Sequence, residues 1–212
     1  LLLTHEHIDH LRGLRVLLRQ NDLPVYATGA VLRYLVENGQ VEPGATLVEI
    51  EPGTPFEAAG MRVTAFSTPH DAADSVGYRI ETPDAHTLAV ATDLGHVSET
   101  VRRGTAGCEL VMLESNYDPA LLRMGPYPYF LKQRIAADNG HLENERSAEF
   151  ACRLLESGCT RMILAHLSRE NNSPALAYQM TSGALQAMGA SEGSDYTLDV
   201  APYDGAGRLI RF

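Results

Sequence analysis

Thr4-His5-Glu6-His7-Ile8-Asp9-His10, directly after the apolar run Leu1-Leu2-Leu3, packs four potential metal ligands into six positions. The apolar run reads as a short buried strand and the polar heptad as the loop that leaves it. In extended backbone, residues two apart point the same way, so His5, His7 and Asp9 share one side. A turn after Asp9 brings His10 round beside them. Neutral imidazoles and a carboxylate at this density suit a borderline divalent cation such as zinc. A merely solvated histidine-rich loop has no need of this spacing. The segment is therefore read as a metal site.

Further polar residues stand at the ends of other strand-like runs. His70 follows Met61 to Thr68, Asp93 follows Thr87 to Thr92, and His166 follows Arg161 to Ala165. A layered fold that gathers these carboxyl ends on one edge brings the groups together.

The pattern HxHxDH, followed in order by His70, Asp93 and His166, resembles the metallo-β-lactamase-fold hydrolases. The resemblance implies an α/β fold of the α+β kind, a four-layer αβ/βα sandwich with a dinuclear site along one edge. It implies that His5, His7 and His70 hold one ion, that Asp9, His10 and His166 hold the other, and that Asp93 bridges them. Zn²⁺ and Mn²⁺ both suit these N/O donors, giving two divalent ions per chain. Longer stretches, PHDAADSVGYRI (69–80), ATDLGHVS (91–98), LESNYD (113–118), RMGPYP (123–128), GHLEN (140–144) and LAHLSRENNSP (164–174), are similar to the YycJ/WalJ subgroup. That subgroup is regarded as cytoplasmic 5′-to-3′ DNA exonucleases related to RNase Z and RNase J. Glu143 departs from the subgroup, which has a small hydroxyl residue after GHL. Leu1 is not a start methionine, and the resemblance implies opening strands before the metal motif. The chain is accordingly expected to be N-terminally truncated.

Composition agrees with one globular domain over residues 1–212, 44% hydrophobic and able to bury a core. No apolar run reaches the length of a membrane span. The three cysteines, Cys108, Cys152 and Cys159, lack metal spacing and read as reduced thiols in a cytoplasmic protein. Strands are expected at Leu1 to Thr4, Val25 to Ala27, Thr46 to Ile50, Phe56 to Ala59, Met61 to Ser67, Val76 to Glu81, Thr87 to Thr92, Glu109 to Glu114, Met162 to Ala165, Tyr196 to Ala201 and Arg208 to Phe212. Helices are expected at Leu11 to Gln20, Ala30 to Glu37, Ser98 to Arg103, Glu145 to Glu156 and Ala175 to Met188.

The chemistry expected of such a site is hydrolysis. Two ions about 3.5–4 Å apart share a water, lower its pKa and deliver a bridging hydroxide to phosphorus. Asp9 aims that hydroxide. His141, before a helix, is the candidate general acid for a leaving 3′-oxygen, the alternative being a histidine that caps the helix. Asp71 is expected to orient a ligand imidazole, and Glu6 to give structural support. Glu114, Ser115 and Asn116 either bind phosphate or brace loops.

The formal net charge of −10 is the wrong sign for general attraction to nucleic acid, so local patches carry the argument. Arg12, Arg15 and Arg19 fall on one helix face beside the metal motif, which is also what an ordinary solvated face looks like. Between Arg123 and Arg134, Tyr127, Tyr129 and Phe130 alternate with Lys132 and the arginines. This suits base stacking beside phosphates, or else core packing. Arg12, Arg15, Asn116, Tyr127, Tyr129 and Lys132 are the candidate substrate contacts, with DNA as partner and no membrane. The leading expectation is a DNA phosphodiesterase. A hydrolase of small esters, thioesters, lactams or cyclic phosphates is the second, and a truncated metal-binding module without activity the third.

Overall fold

Short aliphatic runs become strands, and the amphipathic stretches between them become helices, in a computed structural model that describes residues 1–210. Strands β1 (Val25–Ala27) and β2 (Leu47–Glu49) form a small parallel sheet. Seven strands form a mixed sheet in sequential order: β3 (Pro55–Ala58), β4 (Met61–Ser67), β5 (Val76–Glu81), β6 (Thr87–Ala91), β7 (Leu110–Glu114), β8 (Arg161–Ala165) and β9 (Thr197–Val200).

Three apolar interfaces separate four layers. Leu11, Leu14, Val31 and Leu35 seal helices α2 (Leu14–Gln20) and α3 (Gly29–Glu37) against Val25 and Ala27 of the small sheet. Ile50, Val63, Ala65, Val76 and Tyr78 fill the space between the sheets, with Leu2, Tyr26 and Phe56 against them. On the far side, Phe66, Ala89, Ala91, Val111, Leu113, Met162 and Leu164 meet Val101, Phe150, Leu154, Ala177 and Leu185. These last five come from α4 (Glu99–Thr105), α7 (Asn144–Glu156) and α8 (Pro174–Ala187). The period of two along β4 sends Val63 and Ala65 to the inter-sheet core and Phe66 to the helices. The result is the expected αβ/βα sandwich.

Strand direction positions the site. β4 and β6 both run antiparallel to β5, and β6 to β9 are mutually parallel. The carboxyl ends of β4, β6, β7 and β8 therefore emerge along one edge.

Several elements differ from expectation. Leu1 to Thr4 makes only a single bridge, Leu2 to Tyr26, rather than a strand. The Thr4 carbonyl turns away to accept from the Val76 amide at 3.1 Å. The helix expected from Leu11 to Gln20 is broken at Gly13, a poor helix former, into α1 (Ile8–Leu11) and α2. Two short helices, α5 (Pro119–Met124) and α6 (Tyr129–Ile135), occupy a stretch that lacks long apolar periodicity. α5 is started by Pro119 in its first turn and by the Asp118 carboxylate, which accepts from the Ala120 and Leu121 amides. No closing strand forms over Arg208 to Ile210, which follow Pro202, Gly205 and Gly207; Arg211 and Phe212 lie outside the described residues.

The opening segment is pinned to the large sheet by the buried Tyr78 hydroxyl, which donates to the Leu3 carbonyl at 2.7 Å. Tyr78→Phe leaves that carbonyl without its donor and is expected to lower unfolding stability by about 1–3 kcal/mol in urea titrations. An unchanged midpoint would show that the segment is held elsewhere.

Candidate metal centre

Each ligand candidate leaves the fold at the same edge. His5, His7, Asp9 and His10 occupy the loop and first turn after Leu1-Leu2-Leu3, His70 lies just beyond β4, Asp93 beyond β6 and His166 beyond β8. Asp93 and His166 have positive φ, 61° and 58°. Left-handed backbone is uncommon outside glycine, and here it turns both side chains back over the sheet edge.

The seven residues converge. Ligand atoms of His5, His7 and His70 lie within 4.8 Å of one another, and so do those of Asp9, His10 and His166. Asp93 stands between the two groups. Its Oδ1 is 3.9 Å from His5 Nε2, 3.7 Å from His70 Nε2 and 3.5 Å from His166 Nε2, and its Oδ2 is 3.5 Å from His10 Nε2. These gaps are long for hydrogen bonds. They match the separation of about 3–4 Å between two donors that share one ion at about 2.0–2.1 Å each.

The buried atoms pose the same demand. His5 Nε2, His10 Nε2 and both Asp93 carboxylate oxygens are buried without a hydrogen-bond partner among the described residues. Unpaired buried polar atoms are costly, and a buried carboxylate more so. His7 Nδ1 and His70 Nε2 face each other at 3.2 Å, a pair that needs a proton or a cation between them. The donor set fits divalent cations.

Neighbouring groups fix the rings. The Thr4 hydroxyl lies 3.1 Å from His5 Nδ1 and 3.3 Å from His10 Nδ1, leaving both Nε2 atoms facing Asp93. His70 Nδ1 donates to the Gly140 carbonyl at 2.9 Å. Since a carbonyl only accepts, the other nitrogen of His70 keeps its lone pair. Asp71 pairs with Arg134 and keeps its Oδ1 3.6 Å from His70 Nε2 and 4.0 Å from His7 Nε2, beside both candidate ligand imidazoles. Gly140 itself is required by close approach: a Cβ there would collide with the Arg134 and Ile135 carbonyls. Glu6 accepts from the Ala73 amide at 2.8 Å and ties the His70 loop to the opening motif.

Glu114, the fully buried last residue of β7, is the centre of the bracing. Its Oε1 accepts from His141 Nδ1 at 2.8 Å and from His166 Nδ1 at 2.9 Å, and its Oε2 from the amides of Leu94 and Leu142. Between the expected roles of phosphate binder and loop brace, it is placed as the brace. Asn116 donates to the His166 carbonyl at 2.6 Å. Thr4 and the Gly140 carbonyl escaped the sequence reading, and for Glu114 the sequence left its role open. The one available signal was an acidic residue closing the buried run Leu110-Val111-Met112-Leu113.

The electrostatics divide the centre. Burial, against the pull of Asp93, brings His5 down to about 3 and lowers His70 as well, so both rings are neutral and ready to ligate. Burial also opposes charge on His141 and His166. For His141 the Glu114 carboxylate outweighs it; for His166 the hydrogen bonds to Asp9 and Glu114 do, and both pKa values rise.

A cavity of about 540 Å³ opens over these groups, lined also by Arg12, Asn116, Tyr127, Arg134 and Arg169. Arg12, Asn116 and Tyr127 thus reach the site as candidates, and Arg134 and Arg169 join them. Arg15 does not: with Arg19 it pairs with Glu42 on the surface. Tyr129 and Lys132 face a separate groove on the other side of α6, where Lys132 donates to the Arg123 carbonyl.

Comparison with known proteins places this geometry. Residues 1–167 match the model of the beta-lactamase superfamily domain. The chain belongs to the metallo-β-lactamase superfamily. It is 35% identical over 201 residues to the exodeoxyribonuclease YycJ of Bacillus anthracis, covering 93% of this chain and 75% of that protein. It is 32% identical over 206 residues to the exodeoxyribonuclease WalJ of Streptococcus pneumoniae, covering 95% and 76%. Among solved structures, Zn²⁺-bound PqqB from Methylobacterium extorquens superposes with a TM-score of 0.70 at 21% identity, covering 94% of this chain and 69% of that one. YhfI of Bacillus subtilis gives 0.66 at 17% identity, covering 94% and 73%. These two likenesses concern the fold.

Glutamine at position 114 offers a single acceptor oxygen to four donors. Glu114→Gln is expected to cost roughly 1–3 kcal/mol of stability in urea with EDTA present. No loss would mean that the four contacts are replaceable by water.

Proposed function

We propose that this chain is a metal-dependent phosphodiesterase acting on DNA, in the manner of a 5′-to-3′ exonuclease. The observation that carries the reading is the pair of ligand triads on either side of the buried, unpartnered Asp93 carboxylate. Further support comes from relatives named exodeoxyribonucleases at 32–35% identity over nearly the whole chain. His5, His7 and His70 would hold one ion and Asp9, His10 and His166 a second, with Asp93 shared; Zn²⁺ and Mn²⁺ both suit the donors. Divalent ions held there supply Lewis-acid stabilisation of phosphoryl charge and ready ionisation of water near neutral pH.

The chain's own groups do the rest. Asp9, half exposed on the cavity wall, accepts a hydrogen bond from the attacking water and aims it at phosphorus. As the new P–O bond forms and the bond to the 3′-oxygen breaks, His141 gives that oxygen its proton. Glu114 at His141 Nδ1 turns Nε2 towards the cavity and sustains the imidazolium until the transfer. Arg12, Tyr127 and Asn116 line the path of the strand, with Arg134, paired to Asp71, and Arg169, paired to Asp204, beside them. No helix among the described residues is long and apolar enough to cross a membrane.

The net charge of −10 favours a second reading, a hydrolase of small esters, thioesters, lactams or cyclic phosphates on the same centre. An enzyme of that kind ignores oligonucleotides supplied with Mn²⁺ or Zn²⁺.

Two substitutions separate holding ions from moving protons. His141→Ala is expected to keep its metal content while cleavage of end-labelled DNA falls by roughly two to four orders of magnitude. Asp93→Ala is expected to lose both ions in elemental analysis. Full turnover in the first, or two ions per chain in the second, would overturn the assignment.

A further inference from the structure

We infer that the outer face of α6 is a base-stacking platform, on which Phe130 takes the unpaired base next to the phosphate being cut. This rests on the nuclease reading and gives it a substrate form: a strand whose end is separated from any partner where it reaches the centre.

The argument begins with an exposed apolar surface. Phe130 is 72% exposed, Tyr129 74% and Met124 77%. Core packing, one of the two readings open to this segment in the sequence, is thereby excluded for Tyr129 and Phe130. Helical geometry then fixes what lies beside Phe130. Tyr127, Leu131, Arg134 and Ile135 line the catalytic cavity, while Tyr129, Lys132 and Gln133 line a second groove of about 420 Å³. Phe130 falls on the crest between the two faces. It sits one turn from Arg134, and side chains four apart on a helix are neighbours. An exposed aromatic ring thus stands at the rim of the cavity, beside a guanidinium that points into it.

Size and charge select the occupant. The centre lies at the floor of a cavity of about 540 Å³, with His5 and Asp93 almost wholly buried. A space of about 540 Å³ is narrower than a duplex, and a strand end freed from its partner fits it. The first base outside leaves its stack and loses its neighbours. An aromatic face at the rim replaces that stacking without regard to sequence. Arg12 lines the cavity, and a phosphate beside that base competes with Asp71 for Arg134 and with Asp204 for Arg169.

The test is binding of a fluorescent single-stranded oligonucleotide to the full chain in EDTA, read by anisotropy. Phe130→Ala is expected to weaken binding on the order of tenfold, and Phe130→Tyr to restore it. A strand of the same length built from abasic deoxyribose phosphates is expected to bind the unaltered protein and Phe130→Ala equally. Unchanged affinity in Phe130→Ala, or an equal loss on the abasic strand, overturns the platform. Cleavage of DNA by the unaltered protein with Mn²⁺ or Zn²⁺ is scored separately. Its absence overturns the nuclease reading, whatever Phe130 does.

Discussion

A carboxylate buried among imidazoles sets the terms for everything around it. Asp93 is 1% exposed, and four ring nitrogens approach its oxygens at 3.5–3.9 Å without hydrogen bonding to them. An isolated charge in such a place is expensive, and none of these contacts is a hydrogen bond. Divalent cations held there would supply what the protein withholds. The left-handed backbone at Asp93, the orphaned nitrogens of His5 and His10 and the facing pair His7 and His70 all answer the same demand.

The fold meets that demand through strand direction. Because β4, β6, β7 and β8 share a direction, the residues just past their ends meet at one edge without long excursions. The braces come from the same edge. Glu114 closes β7 and holds His141 and His166 together, so a residue proposed to hold an ion and a residue proposed to move a proton depend on one carboxylate. The Gly140 carbonyl links the His141 loop to His70 in the same way. Small displacements of the 138–141 turn thus reach both halves of the centre.

The sequence made the strands of the large sheet legible, because buried aliphatic runs such as Leu110 to Leu113 and Met162 to Leu164 have few alternatives. The clustering of His5, His7, Asp9 and His10 with His70, Asp93 and His166 was legible because histidines in the HxHxDH spacing have little other use. Bracing was harder to read. Thr4 acts through one hydroxyl and Gly140 through a carbonyl that every residue possesses, and neither leaves a mark on composition. The two short helices escaped because six and seven residues hold too little periodicity to separate helix from loop. Arg15 was misplaced for a related reason. Helical spacing predicts a shared face with Arg12, but the break at Gly13 ends that face, and Glu42 takes Arg15 away from the cavity. Tyr129 and Lys132 alternate with Tyr127 in sequence, yet α6 turns them to its opposite side.

The central claim is that a shared carboxylate organises two cation sites. Anomalous diffraction from crystals grown with Zn²⁺ or Mn²⁺, recorded on both sides of the metal edge, tests it most directly. The account predicts two peaks per chain, one among His5, His7 and His70 and one among Asp9, His10 and His166, each in contact with an Asp93 oxygen. A single peak, or peaks that leave Asp93 untouched, would contradict it.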